Sequence, residues 1–212
     1  MSTNELLEHR LVELRGNLDR LAEAVEDNLR SIVGELSGAE PVEHPVKPLV
    51  LRARENCFMF VVRENPKAHD LKFAMGALRV EHDYERAQEL VDALHKRVSR
   101  LKNTPYATTF PALREVIQVI LDVHTPIRRT WHVMADTPEA AEARETIAHA
   151  NARITAGLAA LRSQTVGFIS GAQGTPEMTV ELVLACRHIE RIWQLLESLP
   201  DERNSFETRV VK

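Results

Sequence analysis

The stretch Asp70–Leu101, DLKFAMGALRVEHDYERAQELVDALHKRVSRL, decides the fold. It is a helix-length segment with no proline after Pro66, and its apolar residues occupy two faces rather than one. Val80, Tyr84, Ala87, Val91, Leu94, Val98 and Leu101 recur at the three-to-four-residue rhythm of one helical stripe. Leu71, Ala74, Met75 and Leu78 mark a second stripe, nearly opposite the first. Where that second stripe stops, Glu81, Glu85 and Glu89 take over its face at i, i+4, i+8 spacing. Like charges so spaced repel mildly, so they need cations, arginines or water. Asp83 lies close to the first stripe, pointing inward or to its edge. The rest of the chain is organised around this helix.

Five more helical segments surround it. Residues 4–36 keep one long apolar stripe through Leu7, Leu11, Leu14, Leu18, Leu21, Val25, Ile32 and Leu36, and Gly38 ends it. Pro41, Pro45 and Pro48 break the chain before a second helix that runs to about Arg63. After a turn at Asn103–Tyr106, a fourth helix is expected from about Pro111 to Ala135, kinked at Pro126. Thr137-Pro138-Glu139 and Thr175-Pro176-Glu177 are matching start signals for a fifth and a sixth. The sixth carries Met178, Leu182, Ala185, Ile189, Ile192, Leu196 and Leu199 on one stripe. Pro200 is expected to end it, leaving 201–212 as a loose polar tail.

Composition agrees with an all-α protein: aromatics are 5% and glycines number 8 in 212 residues. A formal charge of −4 offers no bulk attraction to nucleic acid or an anionic membrane. Cys57 and Cys186 lie far apart without CxxC spacing, which fits a reduced setting. With no signal-like apolar run and no stretch of transmembrane length, a cytoplasmic location without membrane insertion is expected.

The halves read as a repeat. An offset of 105 residues lays Asp83-Tyr84-Glu85-Arg86-Ala87-Gln88-Glu89 on His188-Ile189-Glu190-Arg191-Ile192-Trp193-Gln194. The same offset sets Leu11, Leu14 and Leu18 on Val116, Val119 and Val123. The expected architecture is therefore two tandem three-helix bundles, 1–102 and 107–200, with cores shared or abutting.

A Glu-Arg pair thus recurs in the third helix of each half, as D-x-E-R-x-x-E and then H-x-E-R-x-x-Q. Together with the Pro66-Lys67-Ala68-His69-Asp70-Leu71-Lys72 entry, this resembles the PhoU family of phosphate-signalling regulators. The resemblance covers residues 4–199 and its specific part is those three short motifs. It implies a regulator of phosphate uptake or phosphate-responsive signalling that contacts a sensor histidine kinase or a phosphate transporter component. It also implies homodimers and a divalent or trivalent metal ion on carboxylates. By the same resemblance the metal positions are Glu85, Glu89 and Glu190, with Asp83 and Glu81 as helpers. Carboxylates one turn apart can bridge a hard or borderline cation. The chain departs from the family motif where its glycine becomes Gln88 and Trp193, and where its last acid becomes Gln194. The competing reading of Glu81, Glu85 and Glu89 is a solvated face balanced by Arg79 and Arg86. His188, aligned with Asp83, is expected to join a side-chain network, and Trp131 and Trp193 to pack.

Two other classes compete. A di-iron carboxylate enzyme wants Glu-x-x-His on two helices, and none of the nine histidines has Glu three positions before it; His95 alone has Asp92. With no phosphate-cradling glycine loop or nucleophile elbow either, the expectation is a protein that is not an enzyme. A helical adaptor or scaffold unrelated to phosphate would keep the fold and drop the ligands.

Overall fold

The computed structural model describes the backbone of residues 3–64, 66–102, 104–130, 138–171 and 175–208; side chains at 3–7, 64, 68–69, 139–140 and 201–208 are not described. Six helices follow in order: α1 (Thr3–Leu36), α2 (Lys47–Glu64), α3 (Ala68–Leu101), α4 (Phe110–Arg129), α5 (Pro138–Ser170) and α6 (Pro176–Thr208). A short 3-10 turn, Pro105–Thr109, joins the halves, and no strand occurs among the described residues. The fold is an all-α bundle. None of the described helices is long and apolar enough to cross a membrane.

The main stripe of α3 is buried along its whole length, from Val80 and Tyr84 to Leu101. Its neighbours explain why: α1 and α2 cover it within the first half, and α6 packs along it from the second. The α6 stripe from Leu182 to Leu199 is buried in return, with Met178 at its edge. The two halves share one core. Leu14, Leu18, Leu21, Val25 and Ile32 of α1 are buried as their spacing predicts. Of the second α3 stripe, Ala74 is buried and Leu78 partly so, while Leu71 and Met75 face outward.

Pro200 corrects the sequence expectation. Helix α6 passes through Pro200 to Thr208, so the backbone of 201–208 is helical rather than a loose tail. A proline's fixed φ suits a helix; it loses one hydrogen bond and crowds the preceding turn without forbidding the residues that follow. Helix α4 likewise runs through Pro126, but it closes at Arg129, where the Thr130 N–H bonds the Ile127 carbonyl at 3.1 Å. The expected extension to Ala135, and with it Trp131 and Thr137, lies outside the described residues.

At the end of α1, Gly38 takes φ +92, a left-handed value that L side chains rarely adopt, and its N–H bonds the Glu35 carbonyl at 3.0 Å. The following loop is then strapped onto α1. Asn28 accepts from the His44 N–H (2.8 Å) and donates to the His44 carbonyl (2.9 Å), while Ser31 accepts from the Val42 N–H (2.7 Å).

Helices α4 and α5 approach most closely at Gly157, where a Cβ would stand 2.5 Å from the Val116 Cγ2. Val116 is β-branched and buried, so its methyl has little freedom to give way. Gly157→Ala should gain about 1 kcal/mol of helix propensity and lose more to overpacking, for a net loss of about 1 kcal/mol. Denaturant titration checks this, and adding Val116→Ala should make the same alanine neutral or favourable relative to Val116→Ala alone.

Candidate functional site

The acidic face of α3 is built around an arginine from α2. Arg54 Nη2 reaches Glu81 Oε1 at 2.7 Å and Glu85 Oε2 at 2.8 Å, bridging the two carboxylates. Glu81 is 1% exposed, so burial pushes its carboxyl above the usual range while the Arg54 guanidinium pulls the other way. This corrects the solvated-face reading at its first residue. Glu81 turns into the α2–α3 seam, where its cation is Arg54 of α2. Glu81 and Glu85 thus meet on one guanidinium, while Glu89 is exposed, Asp83 half-buried, and Glu190 lies on α6.

The second repeat repeats the device. Glu190, which aligns with Glu85, is held at 2.8 Å by Arg162 from α5. In each half the motif glutamate is therefore bound by an arginine from the preceding helix. A metal on Glu85 or Glu190 would have to displace a guanidinium already offsetting the carboxylate charge. Among the described residues no three Asp, Glu, His or Cys side chains are grouped as metal ligands. As placed here, these side chains do not fit a metal cluster.

The two residues at the motif-glycine position are both hydrogen-bonded across helices. Gln88 Oε1 accepts from Asn28 of α1 at 3.1 Å, and its Nε2 donates to Asp92 at 2.6 Å. The Trp193 indole N–H donates to Asn151 of α5 at 3.0 Å, with the ring buried as packing requires. His188 departs from expectation: neither ring nitrogen has a hydrogen-bond partner. Burial, with Arg97, Arg191 and Arg187 nearby, holds its pKa below the ordinary histidine value, which keeps the ring neutral rather than a network member.

Sequence reasoning missed the most buried polar cluster. Glu26 of α1, His124 of α4 and Tyr84 of α3 meet in the core. Glu26 Oε2 lies 2.7 Å from His124 Nδ1, and the Tyr84 hydroxyl 3.0 Å from His124 Nε2. One neutral tautomer satisfies all three: Nδ1–H donates to the carboxylate and Nε2 accepts from the phenol. Arg30 pairs with the other Glu26 oxygen, and Arg128 approaches at 3.7 Å while bonding Glu23 at 2.6 Å. The His124 hydrogen bond, against opposing burial and with help from Arg30, lowers the Glu26 carboxyl to about 2. Burial pushes the Tyr84 phenol well above its ordinary value. The one signal in sequence was an acid at a helical spacing that also holds Ala22 and Leu29, both buried.

A second buried acid, Glu35, accepts from the Ser99 hydroxyl at 2.7 Å. His95 Nε2 stands 3.0 Å from Glu35 Oε2 without the alignment of a hydrogen bond. Nearby, a cavity of about 300 Å³ opens between the 41–43 strap, α1 and α3. Between the halves, Glu181 of α6 binds Arg97 (2.7 Å) and Arg100 (2.8 Å) of α3. Both cysteines are buried and free, and burial raises their thiols to about 12 for Cys57 and about 11 for Cys186.

No family model, curated protein or solved structure matches this chain.

Glu26 gives a pH prediction. Its folded pKa lies below the unfolded value, so its contribution is present above about pH 4.5 and lost as pH falls toward 2. The shift corresponds to stability on the order of 3 kcal/mol at neutral pH. Glu26→Gln should be less stable at pH 7 by a few kcal/mol and should lose much of the acid sensitivity between those limits. Urea titrations across pH test it; parallel pH profiles for wild type and variant would remove Glu26 as the source.

Proposed function

We propose that the protein is a PhoU-like cytoplasmic regulator of phosphate uptake or phosphate-responsive signalling. In this reading it acts by contact with a sensor histidine kinase or a phosphate transporter component rather than by catalysis. The observation that carries the reading is the pairing of the two motif helices. Helices α3 and α6, which hold the D-x-E-R and H-x-E-R segments, pack along one another, and each motif glutamate meets an arginine from the helix before it. A tandem repeat whose equivalent residues do equivalent work is what the resemblance implies.

The alternative within the same fold is a carboxylate metal site on Glu85 and Glu89, with Arg54 swung away. We infer that the arginine-held form is the working one, because Arg54 satisfies a buried acid, Glu81, that would otherwise lack its cation. Protein purified without chelator should then contain no stoichiometric transition metal by elemental analysis. Metal present in the parent and lost in Glu85→Ala/Glu89→Ala would overturn that inference.

The regulatory reading is tested by affinity capture from cells grown with and without phosphate, alongside deletion of the coding sequence. The expected result is recovery of a sensor kinase or a transporter component and altered expression of phosphate-responsive genes. Recovery of neither, with those genes unchanged on deletion, would favour an adaptor unrelated to phosphate.

A further inference from the structure

The formal charge of −4 is unevenly distributed. Residues 47–79, α2 with the first third of α3, hold seven lysines and arginines against three acids, +4 against −8 for the remainder, with Arg54 among them taken up by Glu81 and Glu85 just beyond. The same hairpin exposes large apolar side chains. On α2, Leu51, Phe58 and Val62 are 55%, 63% and 62% exposed, on the side away from the buried Val50, Ala53, Cys57 and Phe60. On α3, Leu71 and Met75 are also exposed.

Helical phase places both sets on one surface. Arg54 and Glu85 meet at the outer rim of the α2–α3 seam. A helix turns by about 100° per residue, so Phe58 lies about 40° beyond Arg54 and Met75 about 80° beyond Glu85, each further from the core. The helices leave the turn at Pro66 in opposite directions, which puts Val62 level with Leu71 and Phe58 level with Met75. Exposed Arg52 and Arg63, with exposed Glu55 between them in sequence, border the apolar residues on α2, and exposed Lys67, just before α3, and half-buried Lys72 border them on the α3 side.

We propose that this face of the α2–α3 hairpin is a docking surface for an anionic membrane, lying flat on the headgroups with its apolar side chains dipped into the interface. An apolar stripe between basic margins is the composition that holds an amphipathic helix at a lipid surface. Anionic headgroups supply the complementary charge, and each cation near them adds attraction that salt weakens. A second copy is the wrong occupant, because pairing this face with itself would set its basic margins against one another. The proposal does not depend on the phosphate reading, since either a regulator or an adaptor can hold such a surface.

The test is co-sedimentation of the full chain with vesicles of equal parts phosphatidylglycerol and phosphatidylcholine, against pure phosphatidylcholine, at low and high salt. Binding should be confined to the anionic vesicles and should fall on adding salt. Phe58→Ser/Met75→Ser should weaken it roughly tenfold or more, from lost apolar burial. Arg63→Glu/Lys72→Glu should abolish the preference for anionic lipid. All four positions lie outside the core, and unchanged circular dichroism of the variants confirms that the fold is intact. No binding to anionic vesicles at low salt would overturn the proposal, as would equal binding to neutral ones or indifference to both double variants. Failure with lipid while a partner protein is captured in a Phe58-dependent way would reassign the face to that protein.

Discussion

The contact between Glu26 and His124 ties the two halves together. Glu26 belongs to α1, His124 to α4, and Tyr84, on the second ring nitrogen, to α3, so one imidazole joins three helices across the repeat boundary. A carboxylate in an apolar core is costly unless its oxygens are taken up. Here one oxygen takes the ring N–H, the other meets Arg30, and Arg128 lies close by. The geometry is demanding because the partners come from different helices. Sliding α4 by a turn along α1 would strand the acid, the ring and the phenol together. Apolar contacts between Val, Leu and Ile tolerate such shifts; this cluster does not. It therefore fixes the register in which the apolar stripes of α1, α3 and α4 meet.

Long apolar periods made the helices legible. The α3 stripe from Val80 to Leu101 and the α6 stripe from Leu182 to Leu199 are buried as their spacing demands, because a period repeated over several turns leaves one solution. Helix ends were less legible. Pro200 looks like a stop in sequence, yet it lies within a helix as Pro126 does, since the cost of a proline is local and the helix on either side can absorb it. Buried polar residues were least legible. Glu26, Glu35 and Glu81 look like surface acids until the cation or donor from another helix is in place, and nothing in the local sequence of α1 or α3 announces His124, Ser99 or Arg54.

Net charge is coarse for a related reason. A single figure of −4 averages a basic hairpin with an acidic remainder, and binding responds to the local field over a Debye length rather than to the sum. Apolar spacing likewise marked a second stripe on α3 without saying what covers it: Ala74 is buried, whereas Leu71 and Met75 are exposed. An apolar face with no intramolecular cover is a stronger indication of an external contact than composition alone could supply.

The aligned positions Gln88 and Trp193 each carry a large side chain that bonds an asparagine on a neighbouring helix. Gln88 meets Asn28, which also clamps the backbone of His44, and Trp193 meets Asn151. Beside them, the motif glutamates Glu85 and Glu190 are bound by Arg54 and Arg162. Equivalent positions in the two halves thus make equivalent bonds to a neighbouring helix: an amide or an indole to an asparagine, and a glutamate to an arginine. Each bond spans two helices, so a slip of either helix would break both at once.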